Sequence, residues 1–185
     1  TDLTYWEELP MALEPDEYGS IWSGSAVVDE HNTSGLFDDV PDKSGIVAFY
    51  TSTDLNNHLA QRQAMAYSKD NGRTWIKYNG GAPIIGREDD PLHDEAFRDP
   101  KVFWHEEGNQ WLMIVAGGPV RFYSSQDLIH WKPEGMQPEI TTECPDLYRL
   151  PADGDENKPK WVLSGGGVWY MTGDLKLADG VWKFF

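Results

Sequence analysis

Apolar and polar residues alternate along this chain in short bursts, and the bursts come in threes. A first strand reads "SAVVD" at 25–29, "PKVFW" at 100–104 and "PDLYRL" at 145–150. A second reads "GIVAFYTS" at 45–52, "QWLMIVAGG" at 110–118 and "KWVLSGGG" at 160–167. A third reads "QAMAYSKD" at 63–70, "VRFYSSQD" at 120–127 and "VWYMTGD" at 168–174. Period-two alternation, β-branched and aromatic residues, and Gly/Asn/Asp turns predict strands throughout. The run "LNNHLAQRQAMA" alone looks helical, and its second half is read as strand. Each third strand is expected to run into an Asp-containing turn, closed by Trp75 in "SKDNGRTW" and by Trp131 in "SQDLIHW".

Tyr67, Tyr123 and Tyr170 align in this register, 56 and 47 residues apart. A period near 50 built from about four short strands is the signature of a propeller blade. The opening "TDLTYW" matches the closing piece, with Trp6 where Trp75 and Trp131 stand. The expected fold is therefore all-β, an incomplete β-propeller forming a single domain over 1–185. Its parts are the tail of a first blade (1–15), a second blade (20–80), a third (95–135) and a partial fourth (140–185). The stretch "YMTGDLKLADGVWKFF" is expected to start as a third strand and then turn irregular. A β-sandwich has similar turns and is the alternative architecture.

Charge narrows the partners. Acidic residues number 31 against 15 basic ones, a net charge of −16, which disfavours nucleic acid and anionic membrane surfaces. The acids cluster at "FDDVPD", "REDDPLHDE" and "DGDEN", read as solvated loops. The five histidines form no ligand cluster, with His58, His93 and His105 assigned to polar turns, so no metal and no cofactor is expected. Cys144 is the single cysteine, which excludes an intrachain disulfide; it is read as a buried packing residue. The longest apolar run, "WLMIVA", is too short to cross a bilayer. Asn32-Thr33-Ser34 is a glycosylation sequon, a short triplet with little specificity. Nine tryptophans suit a β-rich core or a sugar-binding face.

Two stretches share a grammar: "AFRDPKVFW" and "ECPDLYRL" each place an acid and a proline at a strand entry. Proline is expected to hold Asp99 and Cys144 extended and is tolerated at a strand's first residue. In a propeller the innermost strands converge on the axis, so Asp99 and Glu143, 44 residues apart, are expected to face one pocket. Two carboxylates there point to glycoside hydrolysis. Glu143, expected among carboxylates and partly desolvated, is the better general acid. Arg98 can bond sugar hydroxyls and support Asp99, while Trp22 and Ser23 in "IWSGS" offer an indole face and a hydroxyl. Taken singly, each has a plainer reading: a structural ion pair, a surface acid, a core ring.

"WSGSAVV", "AYSKDNGRTW", "FRDPKVF" and "ECPDLYRL", in this order across essentially the whole chain, resemble glycoside hydrolase family 32, the invertases, inulinases and levanases. The resemblance implies a five-bladed propeller, secretion, and retaining hydrolysis of β-fructofuranosyl bonds in sucrose, inulin or levan. It implies that Glu143 is the acid/base, that Asp99 stabilises the transition state with support from Arg98, and that Trp22 and Ser23 line the fructose pocket. The family commonly has phenylalanine where Trp22 stands. Its nucleophile, an aspartate in Asn-Asp-Pro-Asn, has no counterpart in this sequence. The expectation is an active parent protein, an inactive 185-residue chain, and self-association of the open propeller.

Two rival readings fit the same residues. "SKDNGRTW" fits a turn box found on sialidase blades, but those enzymes need several arginines as a carboxylate clamp, and only Arg98 and Arg121 look placed for it. A non-catalytic carbohydrate-binding propeller would use Trp22, Arg98 and Asp99 without cleavage.

Overall fold

A computed structural model describes residues 3–54, 56, 60–92 and 96–185. His58, His93 and most of the first half of the helix-like run lie outside the described residues. Three antiparallel sheets and a hairpin follow one another along the chain. The first sheet takes β1 (Ser20–Asp29), β2 (Gly45–Thr53), β3 (Gln61–Ser68) and β4 (Ile76–Lys77) in that order. The second takes β5 (Arg98–His105), β6 (Gln110–Ala116), β7 (Gly118–Ser125) and β8 (Lys132–Thr142). The third takes β9 (Pro145–Ala152), β10 (Asp155–Gly165) and β11 (Trp169–Gly173), after which β12 (Leu175–Ala178) and β13 (Val181–Phe184) pair with each other. The first strands β1, β5 and β9 are neighbours in space, β5 touching both of the others. The sheets thus fan from one side as blades, and the fan does not close.

Alternation along β6 explains how the blades stack. Trp111, Met113 and Val115 point into a core shared with the first sheet, among Val47, Phe49, Met65 and Phe97. Leu112 and Ile114 point the other way, into a core shared with the third sheet and the hairpin, among Leu147, Trp161, Leu163 and Trp182. Buried on both faces, β6 reads as a continuous apolar run rather than a half-buried strand.

The repeat extends to single hydrogen bonds. The indole Nε1 of Trp75 donates to the carbonyl of Gly72 at 3.1 Å, and that of Trp131 to Leu128 at 2.9 Å. Trp6 donates to Leu3 in the same way at 2.9 Å. Leu3, Gly72 and Leu128 all have φ between 60° and 83°, so one tight turn is built three times. In the first sheet Asp70 accepts from the backbone and hydroxyl of Thr74; in the second Asp127 accepts from the backbone of Ile129 and His130.

Several expectations are corrected. Asp174 is not a turn residue: the third strand carries on past it as β12, and the turn falls at Asp179-Gly180, leaving β13 to return antiparallel. Residues 174–185 are therefore a hairpin rather than irregular chain, and Gln137 holds it to β8 through paired bonds with the backbone of Phe184. His105 is not in a polar turn. It is buried at the end of β5, stacked on Trp161 with an interplanar angle of 8° and set edge-on to Trp182. Burial lowers its pKa, because desolvation disfavours the imidazolium.

The acidic loops are tied down by basic partners. Asp39 pairs with Lys69, and Asp155 with Lys158. Asp90 of "REDDPLHDE" meets the fully buried Arg121 at 2.9 Å, and the rest of that guanidinium bonds the carbonyls of Ala116, Gly117 and Pro119. Removing one member of such a pair strands the other charge. Asp90→Ala is expected to destabilise the chain by about 3–5 kcal/mol, read as a drop in the urea midpoint, whereas Asp155→Ala, which breaks an exposed pair, should leave the midpoint nearly unchanged.

Candidate active site

The entry ends of β1 and β5 break regular pairing, whereas β9 pairs with β10 from its first residue. In β1 the register slips between Ile21 and Gly24, which places Trp22 and Ser23 in a bulge. Glycine is required there, because a Cβ on Gly24 would sit 1.9 Å from the carbonyl oxygen of Phe49. In β5 the register slips between Arg98 and Lys101. β9 starts at Pro145, directly after Cys144.

Asp99 and Cys144 are not extended, as the following prolines led us to expect. Both occupy the left-handed region, with φ of 58° and 44°. For non-glycine residues this costs of order 1–3 kcal/mol and persists only where the surroundings enforce it. The enforcement is visible: the Asp99 amide donates to Thr51 Oγ1 at 2.9 Å, and the Cys144 amide donates to Asp99 Oδ2 at 3.0 Å. Each motif bends its carboxylate-bearing end out of the ladder instead of running straight into it.

The two motifs meet. Arg98 grips Glu143 with both carboxylate oxygens engaged, Nε to Oε2 at 2.7 Å and Nη2 to Oε1 at 2.5 Å. The hydrogen bond to Glu143 holds the guanidinium above its usual range despite partial burial. Glu143 is half exposed rather than desolvated, and it is clasped by a cation. Asp99 is buried. A cavity of about 230 Å³ is lined by Ser23, Asp99, Lys101, Cys144 and Asp146, among others, drawing on all three first strands. Trp22 is exposed on the β1 bulge, and neither it nor Arg98 nor Glu143 is among the residues lining that cavity. Two wider grooves, about 560 and 630 Å³, open near the far ends of these strands around Trp104 and His105. They contain none of the candidate residues, so size is a poor guide here and motif convergence the better one.

Cys144 is exposed rather than buried. Partial desolvation, and after it the charge of Asp99, push its thiol above the ordinary range, the opposite of what a nucleophilic cysteine needs. Arg121, a candidate for a sialidase clamp, is fully buried on Asp90 and unavailable to a ligand.

Two residues escaped the sequence reading. Lys101 and Asp146 pair at 2.8 Å across the cavity wall. Each follows the proline of its motif, so the same position carries opposite charges on neighbouring blades. That juxtaposition was the available signal. Ser25 adds a further link, donating to the carbonyl of Pro100 at 2.8 Å and accepting from the amide of Val102 at 3.0 Å.

Comparison with known proteins places this geometry. The model of the glycosyl hydrolases family 32 N-terminal domain matches residues 1–175. The chain is 48% identical to a fructan beta-fructosidase of Streptococcus mutans over its whole length, and 44% identical to a levanase of Bacillus subtilis over 94% of it. It spans 12% and 27% of those two proteins. Among solved structures, an exo-inulinase from Aspergillus awamori superposes with a TM-score of 0.78 at 32% identity, covering 99% of this chain and 42% of that one. A Schwanniomyces occidentalis beta-fructofuranosidase complexed with fructosyl-erythritol superposes with 0.77 at 33%, covering all of this chain and 37% of the other.

The thiol tests the cluster's electrostatics. At pH 8, Cys144 should alkylate with iodoacetamide more slowly than a free cysteine. Asp99→Asn should accelerate it several-fold by removing a nearby negative charge, since only the thiolate reacts. An unchanged rate would show that Asp99 and Cys144 do not share a field.

Proposed function

The chain belongs to glycosyl hydrolase family 32, and from that premise we propose that the protein it forms part of hydrolyses β-fructofuranosidic bonds in sucrose, inulin or levan by a retaining mechanism. One observation carries the reading: Arg98-Asp99 and Glu143-Cys144, from different blades, are bonded to each other, and Asp99 and Cys144 line one cavity. In this proposal Glu143 is the acid/base. To protonate a leaving oxygen, one of its carboxylate oxygens exchanges Arg98 for the substrate. Asp99 stabilises the transition state: Oδ2 is occupied by the Cys144 amide, and Oδ1 accepts from fructosyl hydroxyls. Trp22 and Ser23, on the β1 bulge, form the wall against which the fructose ring packs. Action outside the cell accompanies this reading, since polymeric fructans are handled there.

A retaining reaction also needs a nucleophilic carboxylate roughly 5–5.5 Å from the acid/base. The Asn-Asp-Pro-Asn tetrapeptide that the resemblance attaches to this role does not occur in the 185 residues. We therefore propose that the isolated chain binds fructosides without turning them over. Its third sheet also presents Leu150, Val168 and Tyr170 to solvent, an apolar face of the kind that drives association.

Two outcomes are expected. In the full-length protein, Glu143→Gln should cut fructose release from sucrose and inulin by roughly 10²–10⁴-fold without lowering Tm; undiminished turnover would overturn the assignment. A non-catalytic sugar-binding propeller would instead bind fructose and release none even as wild type. For the isolated 185 residues, gel filtration across a concentration series should show self-association that Tyr170→Ser weakens; a strict monomer at all concentrations would count against it.

A further inference from the structure

Three buried polar side chains of the first sheet hold three consecutive residues of the second, and none of them belongs to the proposed chemistry. Gln61, at the start of β3, accepts at Oε1 from the Phe97 amide at 2.8 Å and from Arg98 Nη1 at 3.1 Å. Gln63 donates from Nε2 to the Phe97 carbonyl at 2.8 Å and accepts at Oε1 from the Thr51 hydroxyl at 3.2 Å. Thr51 Oγ1 in turn receives the Asp99 amide. All three are buried, with relative exposures of 2% or less. Both partners of Gln61 Oε1 are obligate donors, which fixes the amide's orientation on chemical grounds.

Gln63 and Thr51 bond only the backbone of the motif, but Gln61 reaches a side chain. Arg98 has its Nη1 on Gln61 while Nε and Nη2 fork onto Glu143. A long arginine has four torsions to fix, and one anchored corner of its planar guanidinium sets the direction of the other two donors. We propose that Gln61 is a positioning residue of the acid/base, acting through Arg98: it aims the guanidinium that holds Glu143, so a glutamine in one blade sets the carboxylate two blades on. This rests on the hydrolase reading above. Because the acid must meet its proton acceptor within hydrogen-bond reach, displacement of about 1 Å can cost 10²-fold in rate, and the loss falls on kcat rather than on ground-state binding.

The test compares variants of the full-length protein. Gln61→Met keeps the shape and loses the acceptor; with the Phe97 amide left unpaired it should melt somewhat below wild type yet stay folded, and lose roughly 10²-fold in kcat on sucrose with KM little changed. Gln61→Glu retains an acceptor oxygen and should restore most of kcat, which a merely structural role would not predict. In an Arg98→Lys background, Gln61→Met should cost nothing further, because coupled residues are not additive. Should Gln61→Met fail to fold, Gln61→Asn, whose amide is withdrawn by one methylene, carries the same comparison. Wild-type kcat in Gln61→Met, or an equal loss with and without Arg98, overturns the inference. Absent Glu143-dependent turnover in the wild type would count against the hydrolase reading alone. A crystal structure of Gln61→Met then decides independently: Arg98 turned away from Glu143 supports the relay, and an intact fork overturns it.

Discussion

The site depends on two residues kept in an uncomfortable backbone conformation. Asp99 and Cys144 both have positive φ and both precede proline, a combination that the chain avoids unless something holds it. What holds Asp99 is a donor–acceptor chain through Thr51 and Gln63, and what holds Cys144 is Asp99 itself. The dependence therefore runs one way around the fan, from the first sheet to the second to the third. A carboxylate that accepts from a neighbouring blade's amide serves as a hinge pin as well as a chemical group.

Such an arrangement needs stiff surroundings, and β6 supplies them. With side chains buried on both faces, any tilt of the second sheet disturbs two cores at once. Close-packed interiors resist such shifts. The polar contacts between first strands then work at short range: the Ser25 bridge to Pro100 and Val102 on one side, Lys101 with Asp146 and Arg98 with Glu143 on the other. Packing sets the blades to within the tolerance that these hydrogen bonds require.

The fold was largely legible because its signal is repetitive. Three passes of alternating strands, with tryptophan-closed turns at matching points, over-determine a blade, and the Leu3–Trp6 turn shows that even a six-residue match was informative. The convergence of residues 98–99 with 143–144 was legible for the same reason, since equivalent strand positions become neighbours in space. Local conformation was not. The proline rule speaks for the isolated dipeptide, and at Asp99 and Cys144 tertiary hydrogen bonds outweigh it. His105 looked like a turn residue from its polar neighbours Glu106 and Glu107; its partners Trp161 and Trp182 lie more than fifty residues on. Nothing local reports a contact at that range.

Gln61 and Gln63 illustrate the same limit from the other side. In "AQRQAMAYS" alternation puts them on the face of Met65 and Tyr67, yet their polarity alone would argue for water. Both are instead buried, because the side of β3 they occupy faces the entry of β5, where Phe97 lies just ahead of the ladder and Asp99 falls in its bulge. A bulge frees donors and acceptors, and a buried donor or acceptor left unpaired costs about 1–3 kcal/mol. Gln61 accepts from the Phe97 amide and Gln63 donates to the Phe97 carbonyl, while Thr51, held by Gln63, takes the Asp99 amide of the bulge. The price of bending Asp99 toward the cavity is thus met one blade away, which is why the residues that shape the site need not touch it.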